Sequence, residues 1–162
     1  MRVVRIVGAP ASGKTTLRLA LAAGLALPSF AIDDERRAIL APGEAWPASD
    51  QVAWLNLRAR LEAHHPCIVE TSGLSPSDAW LYRDTERLTI LCFADADVRR
   101  ARLVARVRSG DLLARGPNYV KRVSRLGDPV GVSVDALWCG DRPADVGPLL
   151  GIVAAWLPAV PA

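Results

Sequence analysis

The β-branched run Arg2-Val-Val-Arg-Ile-Val7 leads straight into Gly8-Ala9-Pro10-Ala11-Ser12-Gly13-Lys14-Thr15, and nothing else in the chain limits its fold so tightly. The octad fills G-x-x-x-x-G-K-[ST] at every fixed position, between an apolar strand pattern and a helical one, which is the context this motif requires. Glycine lets the backbone turn sharply enough for successive N–H groups to converge on phosphate oxygens. Lys14 is then placed to reach β- and γ-phosphates, and the Thr15 hydroxyl to hold magnesium. The helix that follows adds its positive end. Gly8, Ala11, Ser12, Gly13, Lys14, Thr15 and Thr16 are the expected triphosphate contacts, with Thr15 as the metal ligand.

Downstream, strand and helix patterns alternate. Thr15 to Leu27 has helical Leu/Ala spacing and ends near Pro28, and Ser29 to Ile32 reads as a second strand. Asp33-Asp34 opens a helical stretch to Leu40. The segment from 41 to 48, with two prolines and a glycine, is a loop. Ser49 is the expected cap of a helix to about His64, closed by His64-His65 before Pro66. Cys67 to Glu70 is a third strand, Ser75-Pro76-Ser77-Asp78 a helix start, and Leu88 to Phe93 a fourth strand. Asp97 to Arg108 is a basic helix, Pro117 to Arg125 another, Val130 to Trp138 a fifth strand, and a last helix begins near Asp145. Such alternation predicts an α/β, three-layer P-loop NTPase fold. A five-stranded parallel sheet is flanked by helices in a single domain over 1–162, with a helical lid at about 99–116.

Composition narrows the setting. About half of the residues are apolar and a quarter charged, an ordinary globular balance. No stretch approaches the ~20 apolar residues that span a bilayer. Leu149 to Val160 is too short and holds Pro158, so it is expected as a helix packed on the domain. Arg5 interrupts the first apolar run, so no signal peptide is expected. Cys67, Cys92 and Cys139 lie far apart in apolar runs, the pattern of buried thiols in a reducing compartment. A cytoplasmic protein without membrane contact is the expectation.

Asp33 and Asp34 follow the second strand, where ligands of open α/β sheets gather. A carboxylate there suits the removal of a proton from an attacking hydroxyl, and the alternative is a helix cap. Arg36 and Arg37 suit an anionic group. Glu70 ends the third strand, where an acid orders magnesium or a nucleophile. Between Arg99 and Arg125 nine Lys or Arg meet one acid, Asp111. Arg102 and Arg106, four apart, share a helix face before the Ser109-Gly110 hinge, as in a lid closing over a triphosphate, with Arg115 beyond it. The alternative is a solvated surface helix. Trp46, Trp54 and Trp80 are candidates for stacking on a base or for half-buried core, and Trp138 and Trp156 for core.

Taken in order, these motifs resemble the small P-loop kinases, and most nearly the kinase domain of the bacteriophage polynucleotide kinase group, over about Arg2 to Arg125. The resemblance implies ATP with Mg2+ as co-substrate and Asp33 as general base. It also implies Arg36 on an acceptor phosphate, Asp34, Glu70 and Thr71 on the acceptor, and Arg102 and Arg106 as catalytic lid arginines beside Lys14. Glu70 stands where that group has Asp. No phosphatase domain accompanies the kinase motifs, so no 3′-phosphatase activity is expected. The expected reaction is γ-phosphate transfer to a polynucleotide 5′-hydroxyl or a hydroxylated base in DNA, with nucleic acid as partner. The alternatives are a small-molecule kinase for a sugar, nucleoside or antibiotic, and a nucleotide-dependent switch without an acceptor.

Overall fold

A computed structural model describes residues 1–115, 118–141 and 145–157. Five strands form one parallel sheet: β1 (Arg2–Val7), β2 (Ser29–Ala31), β3 (Cys67–Glu70), β4 (Glu86–Phe93) and β5 (Ala136–Cys139), in the order β2-β3-β1-β4-β5. The helices are α1 (Lys14–Leu25), α2 (Ile32–Ala38), α3 (Gln51–His64), α4 (Ser77–Leu81), α5 (Ala96–Arg108), α6 (Tyr119–Val123) and α7 (Gly147–Trp156). A 3-10 turn spans Leu112–Ala114. Among the described residues, no helix is long and apolar enough to cross a membrane.

Strand pleating sorts the core. Val4 and Ile6 point to one face of the sheet, where Leu17 and Leu21 of α1 and Leu149 and Val153 of α7 cover them. Val3 points to the other, against Ala53, Trp54, Leu57 and Leu61 of α3 and Leu81 of α4. Each fully buried Leu or Ile contributes roughly 1.5–3 kcal/mol, so the sheet's middle is the most secure part of the molecule. A smaller cluster of Leu103, Ala114 and Tyr119 packs α5, the 3-10 turn and α6 together.

From β1 the chain builds outward to β2 and β3 on one side and to β4 and β5 on the other. The strand order therefore switches at β1, and a crevice opens beyond its carboxyl end. The glycine loop emerges there.

Several sequence expectations shift. β2 ends at Ala31, and Ile32 already belongs to α2. α1 stops at Leu25 because Ala26 turns left-handed at φ 52°. The expected fifth strand from Val130 begins only at Ala136. Val130 is almost fully exposed, and Gly131 turns at φ 76°. Only from Ala136 does the chain lie beside Ile90 of β4. Ser49 does not cap α3: Asp50 stands at that position, and its side chain is engaged elsewhere. The expected helix from Pro117 is observed over Tyr119–Val123, while Pro117, the last residue of the expected lid and Pro158 lie outside the described residues.

Candidate active site

The loop between β1 and α1 has its shape because neighbours crowd it. Gly8 (φ 149°) and Gly13 (φ 101°) adopt conformations that side chains rarely take, and Ala11 turns at φ 64°. A Cβ on Gly8 would stand 2.0 Å from the Cys92 carbonyl oxygen, and one on Gly13 would stand 2.9 Å from the Trp138 ring. Gly140, after β5, presses from beside: a Cβ there would be 1.8 Å from the Ser12 carbonyl oxygen. Ser12 is fully buried, and Cys92 donates its thiol to that same carbonyl at 3.1 Å. The Ala9 N–H donates to Asp128 at 3.1 Å, which ties the loop to the segment after α6.

Lys14 folds back over the loop and donates to the Gly8 and Ala9 carbonyls at 3.0 and 2.9 Å. Burial pulls its pKa down, against the raising influence of Glu70, Cys92 and Asp33. Thr15 donates its hydroxyl to Glu70 Oε1 at 2.9 Å. The other Glu70 oxygen accepts from Arg18 Nε at 3.1 Å, and Arg18 reaches on to Ser29 and to Asp34, each at 3.2 Å. The donor set beside the loop is thus a hydroxyl and a carboxylate oxygen, the ligand chemistry that hard divalent cations take.

Asp33 and Asp34 lie inside the first turn of α2, whose cap position is Ala31 without a side-chain bond, so neither acid is a cap. Asp33 accepts from Arg36 Nη1 at 2.9 Å. Arg36 also grips Asp50 with two bonds of 2.7 Å, and its guanidinium stands 4.5 Å from the Trp46 ring centre. That pairing holds the Asp50 carboxyl below its ordinary pKa, first through the hydrogen bond from Arg36. Arg36 therefore has all three nitrogens engaged with carboxylates, and a phosphate would compete with Asp33 and Asp50 for it. Thr71 borders the cavity, but it is buried and its hydroxyl donates to Asp78 at 2.6 Å.

Arg102 and Arg106 of α5 both reach the cavity wall. Arg102 donates to the Ala11 carbonyl at 3.2 Å and to the Gly140 carbonyl at 2.6 Å. Arg106 pairs with Asp111 at 2.8 Å, and Asp111 also pairs with Arg37 of α2 at 3.3 Å. Burial acts to raise the Asp111 pKa, yet Arg106 and Arg37 outweigh it and hold the carboxyl below its ordinary value.

A single cavity of about 550 Å³ unites these parts. Its wall includes Ala11, Gly13, Lys14, Thr15 and Thr16 of the loop and the start of α1, with Glu70 beside Thr15. Asp33, Asp34, Arg36, Thr71, Arg102 and Arg106 also line it. Gly8 and Ser12 do not line it. Of the tryptophans, Trp46 borders the cavity, Trp54 is buried and donates to Asp50 at 2.8 Å, and Trp80 lies outside it. Cys67 and Cys92 are buried, whereas Cys139 is half-buried.

The sequence reading missed Arg18, Asp50, Asp111 and Asp128. Arg18 had a signal, a lone arginine on the apolar side of the helix after the loop. Asp111 had one too, as the sole acid in a basic block. Asp50 and Asp128 had none, because only the fold brings them to Arg36 and Ala9.

The sheet order and the glycine loop at the switch point define the P-loop NTPase fold. No protein-family model matches the chain, and no curated protein matches it. Solved structures do. A candidate kinase from Chloroflexus aurantiacus is 22% identical with a TM-score of 0.73, over 96% of this chain and 98% of that one. A gluconokinase from Sinorhizobium meliloti is 18% identical with a TM-score of 0.60, over 95% of this chain and 96% of that one. The shikimate kinase of Aquifex aeolicus is 19% identical with a TM-score of 0.57, over 98% of this chain and 100% of that one. The likeness shows a shared fold, that of small P-loop kinases.

Proposed function

We propose that this protein transfers the γ-phosphate of ATP to a hydroxyl of a small molecule. The observation that carries the reading is the single cavity joining the phosphate loop at Lys14 and Thr15 to Asp33 beyond β2, under a roof of lid arginines. A bare switch needs no such second compartment. The volume, about 550 Å³ for triphosphate and acceptor together, is within the range of small-ligand pockets. The named structural relatives are a gluconokinase and a shikimate kinase, which also favours a small acceptor. The polynucleotide acceptor expected from the motif order lacks such support: Arg36, its intended phosphate contact, is occupied by Asp33 and Asp50. Nucleic acid is not retained as the acceptor.

The chemistry follows from position. Backbone N–H groups of Ala11 to Thr16 hold the β- and γ-phosphates, with Lys14 turning from its carbonyls to meet them. Asp33 accepts the proton of the incoming hydroxyl as its oxygen attacks the γ-phosphorus and the bond to the ADP oxygen breaks. Arg102 and Arg106 neutralise charge on the transferring group. The Thr15 hydroxyl would hold magnesium, with Glu70 ordering its water shell, and the ion would supply further neutralisation of the phosphates.

The test is ADP release from Mg-ATP across a panel of hydroxylated metabolites, with Lys14→Ala and Asp33→Asn in parallel. Acceptor-dependent turnover should fall at least ~100-fold in Asp33→Asn while nucleotide binding persists, and Lys14→Ala should weaken ATP itself. Turnover that ignores every acceptor and survives Asp33→Asn would instead make the protein a nucleotide-hydrolysing switch.

A further inference from the structure

The charges around the cavity are divided in a way that bears on its substrate. On the phosphate-loop side, Lys14 and Arg102 bond only to main-chain carbonyls: Gly8 and Ala9 for Lys14, Ala11 and Gly140 for Arg102. Among the described residues neither is in an ion pair, so their charge remains for an incoming anion. On the acceptor side every arginine is matched by acid. Arg36 is held by both oxygens of Asp50 at 2.7 Å and by Asp33 at 2.9 Å, with its side chain only 11% exposed. Arg37 pairs with Asp34 at 3.0 Å and Asp111 at 3.3 Å. Arg18 pairs with Glu70 and Asp34.

An anionic acceptor would meet the carboxylates of Asp33, Asp34 and Glu70 on the cavity wall and find each neighbouring arginine already in an ion pair. To take over the Nε edge of Arg36 it would have to break a two-bond Arg–carboxylate pair and leave a carboxylate partly buried without a partner. A cationic acceptor would likewise have to displace an arginine, since each of these carboxylates already has one as partner. What remains on offer is the exposed Trp46 ring, the apolar edges of Ile32, Leu113 and Val123, and hydrogen-bonding capacity on Asp33 and Asp34. Those suit an uncharged molecule with an apolar face and hydroxyl groups.

Building on the kinase reading, we propose that the acceptor is an uncharged alcohol, selected against carboxylate- and phosphate-bearing analogues by the Asp33–Arg36–Asp50 clamp stacked on Trp46. Asp50 is then a specificity residue: it keeps Arg36 from recruiting an anion. The device differs from steric exclusion because removing one charge should erase the preference.

The experiment uses the full chain with Mg2+ and a non-hydrolysable ATP analogue, and follows the Trp46 and Trp54 indole N–H signals by NMR. The probes are matched pairs: glucitol against gluconate, and shikimate methyl ester against shikimate. The wild type should bind the neutral member of each pair at least roughly tenfold more tightly, and Asp50→Asn should shift that ratio toward the anion by a similar factor. Equal or tighter binding of the anionic members by the wild type overturns the proposal. So does an unchanged ratio in a folded Asp50→Asn protein. Should that variant unfold, the wild-type ratios alone decide. Turnover with ATP is assayed on the same probes. Transfer to anions in preference to neutral partners would leave the kinase reading standing and remove this one, whereas neutral-selective binding without any transfer would do the reverse.

Discussion

Arg18 uses all three nitrogens of its guanidinium: one on Glu70, one on Ser29 and one on Asp34. Its side chain is 8% exposed and that of Glu70 11%, so the pair is a buried one. Removing one member of such a pair strands a charge, which typically costs about 3–5 kcal/mol. Arg18→Met should therefore lower stability by roughly that amount in urea denaturation. The milder Arg18→Lys should restore part of the loss. Because Glu70 also faces Thr15, either change should raise the Mg2+ concentration needed for half-maximal ATP binding. A variant with unaltered Mg2+ dependence would show that Arg18 serves the fold alone. Gly140 gives a second test at this scale. A methyl group 1.8 Å from the Ser12 carbonyl oxygen must push the phosphate loop aside. Gly140→Ala is expected to lose about 1–3 kcal/mol and to bind ATP more weakly, by calorimetry, than its residual stability alone would suggest.

Among the elements, α5 and α2 are joined by one carboxylate. Asp111 sits between Arg106 on α5 and Arg37 on α2 and also caps the 3-10 turn through the Leu113 N–H. Asp111→Asn removes the charge and keeps the size, so the lid should loosen without the sheet noticing. Amide exchange over Ala105–Ala114 is expected to quicken while β1 and β3 stay protected. Equal rates in both proteins would mean that Leu103, Ala114 and Tyr119 hold the lid unaided. The same acids set a pH dependence. Asp50 and Asp111 both have depressed folded pKa values. Their stabilisation is present above the unfolded carboxylate value of about 4 and is lost as pH falls through the folded values. Between about pH 5 and pH 3 the wild-type thermal midpoint should fall more than that of an Asp50→Asn, Asp111→Asn double variant.

Across the whole molecule, burial grades the three thiols. Cys67 and Cys92 lie in the sheet, and loss of solvent pushes each thiol up to about 12. At pH 8 roughly one in ten thousand of either is thiolate, the reactive form. Cys139, half-buried at the end of β5, should be labelled first by a disulfide reagent, with the other two released only on unfolding. Three rapidly reacting thiols would mean that the sheet opens far more readily than its packing implies. At this scale too, the α/β architecture was readable before any coordinates. The strand patterns at Arg2–Val7, Cys67–Glu70 and Leu88–Phe93 are short, apolar and bounded by turn residues, and each became a strand of the parallel sheet. Val130–Trp138 misled because its β-branched residues carry the same local preference in a loop. Partnership with β4 begins only at Asp135, which exchanges hydrogen bonds with Thr89, and local preference does not encode a partner.

The sequence by itself determined the phosphate loop, since the Gly8 to Thr15 spacing acts through local backbone geometry. It also determined the placing of Arg102 and Arg106 on one helix face, which follows from helical period alone. The tertiary structure decided which charges are free to meet a ligand. Arg36 reads as an anion contact along the chain, yet Asp50, fourteen residues away, closes it, and Asp111 does the same for Arg37 across 74 residues. Ion pairs of that kind depend on distance in space, and no local periodicity or propensity carries that distance. The glycine loop is therefore written in eight consecutive residues, while the pairing of the charges around the cavity rests on contacts that only folding creates.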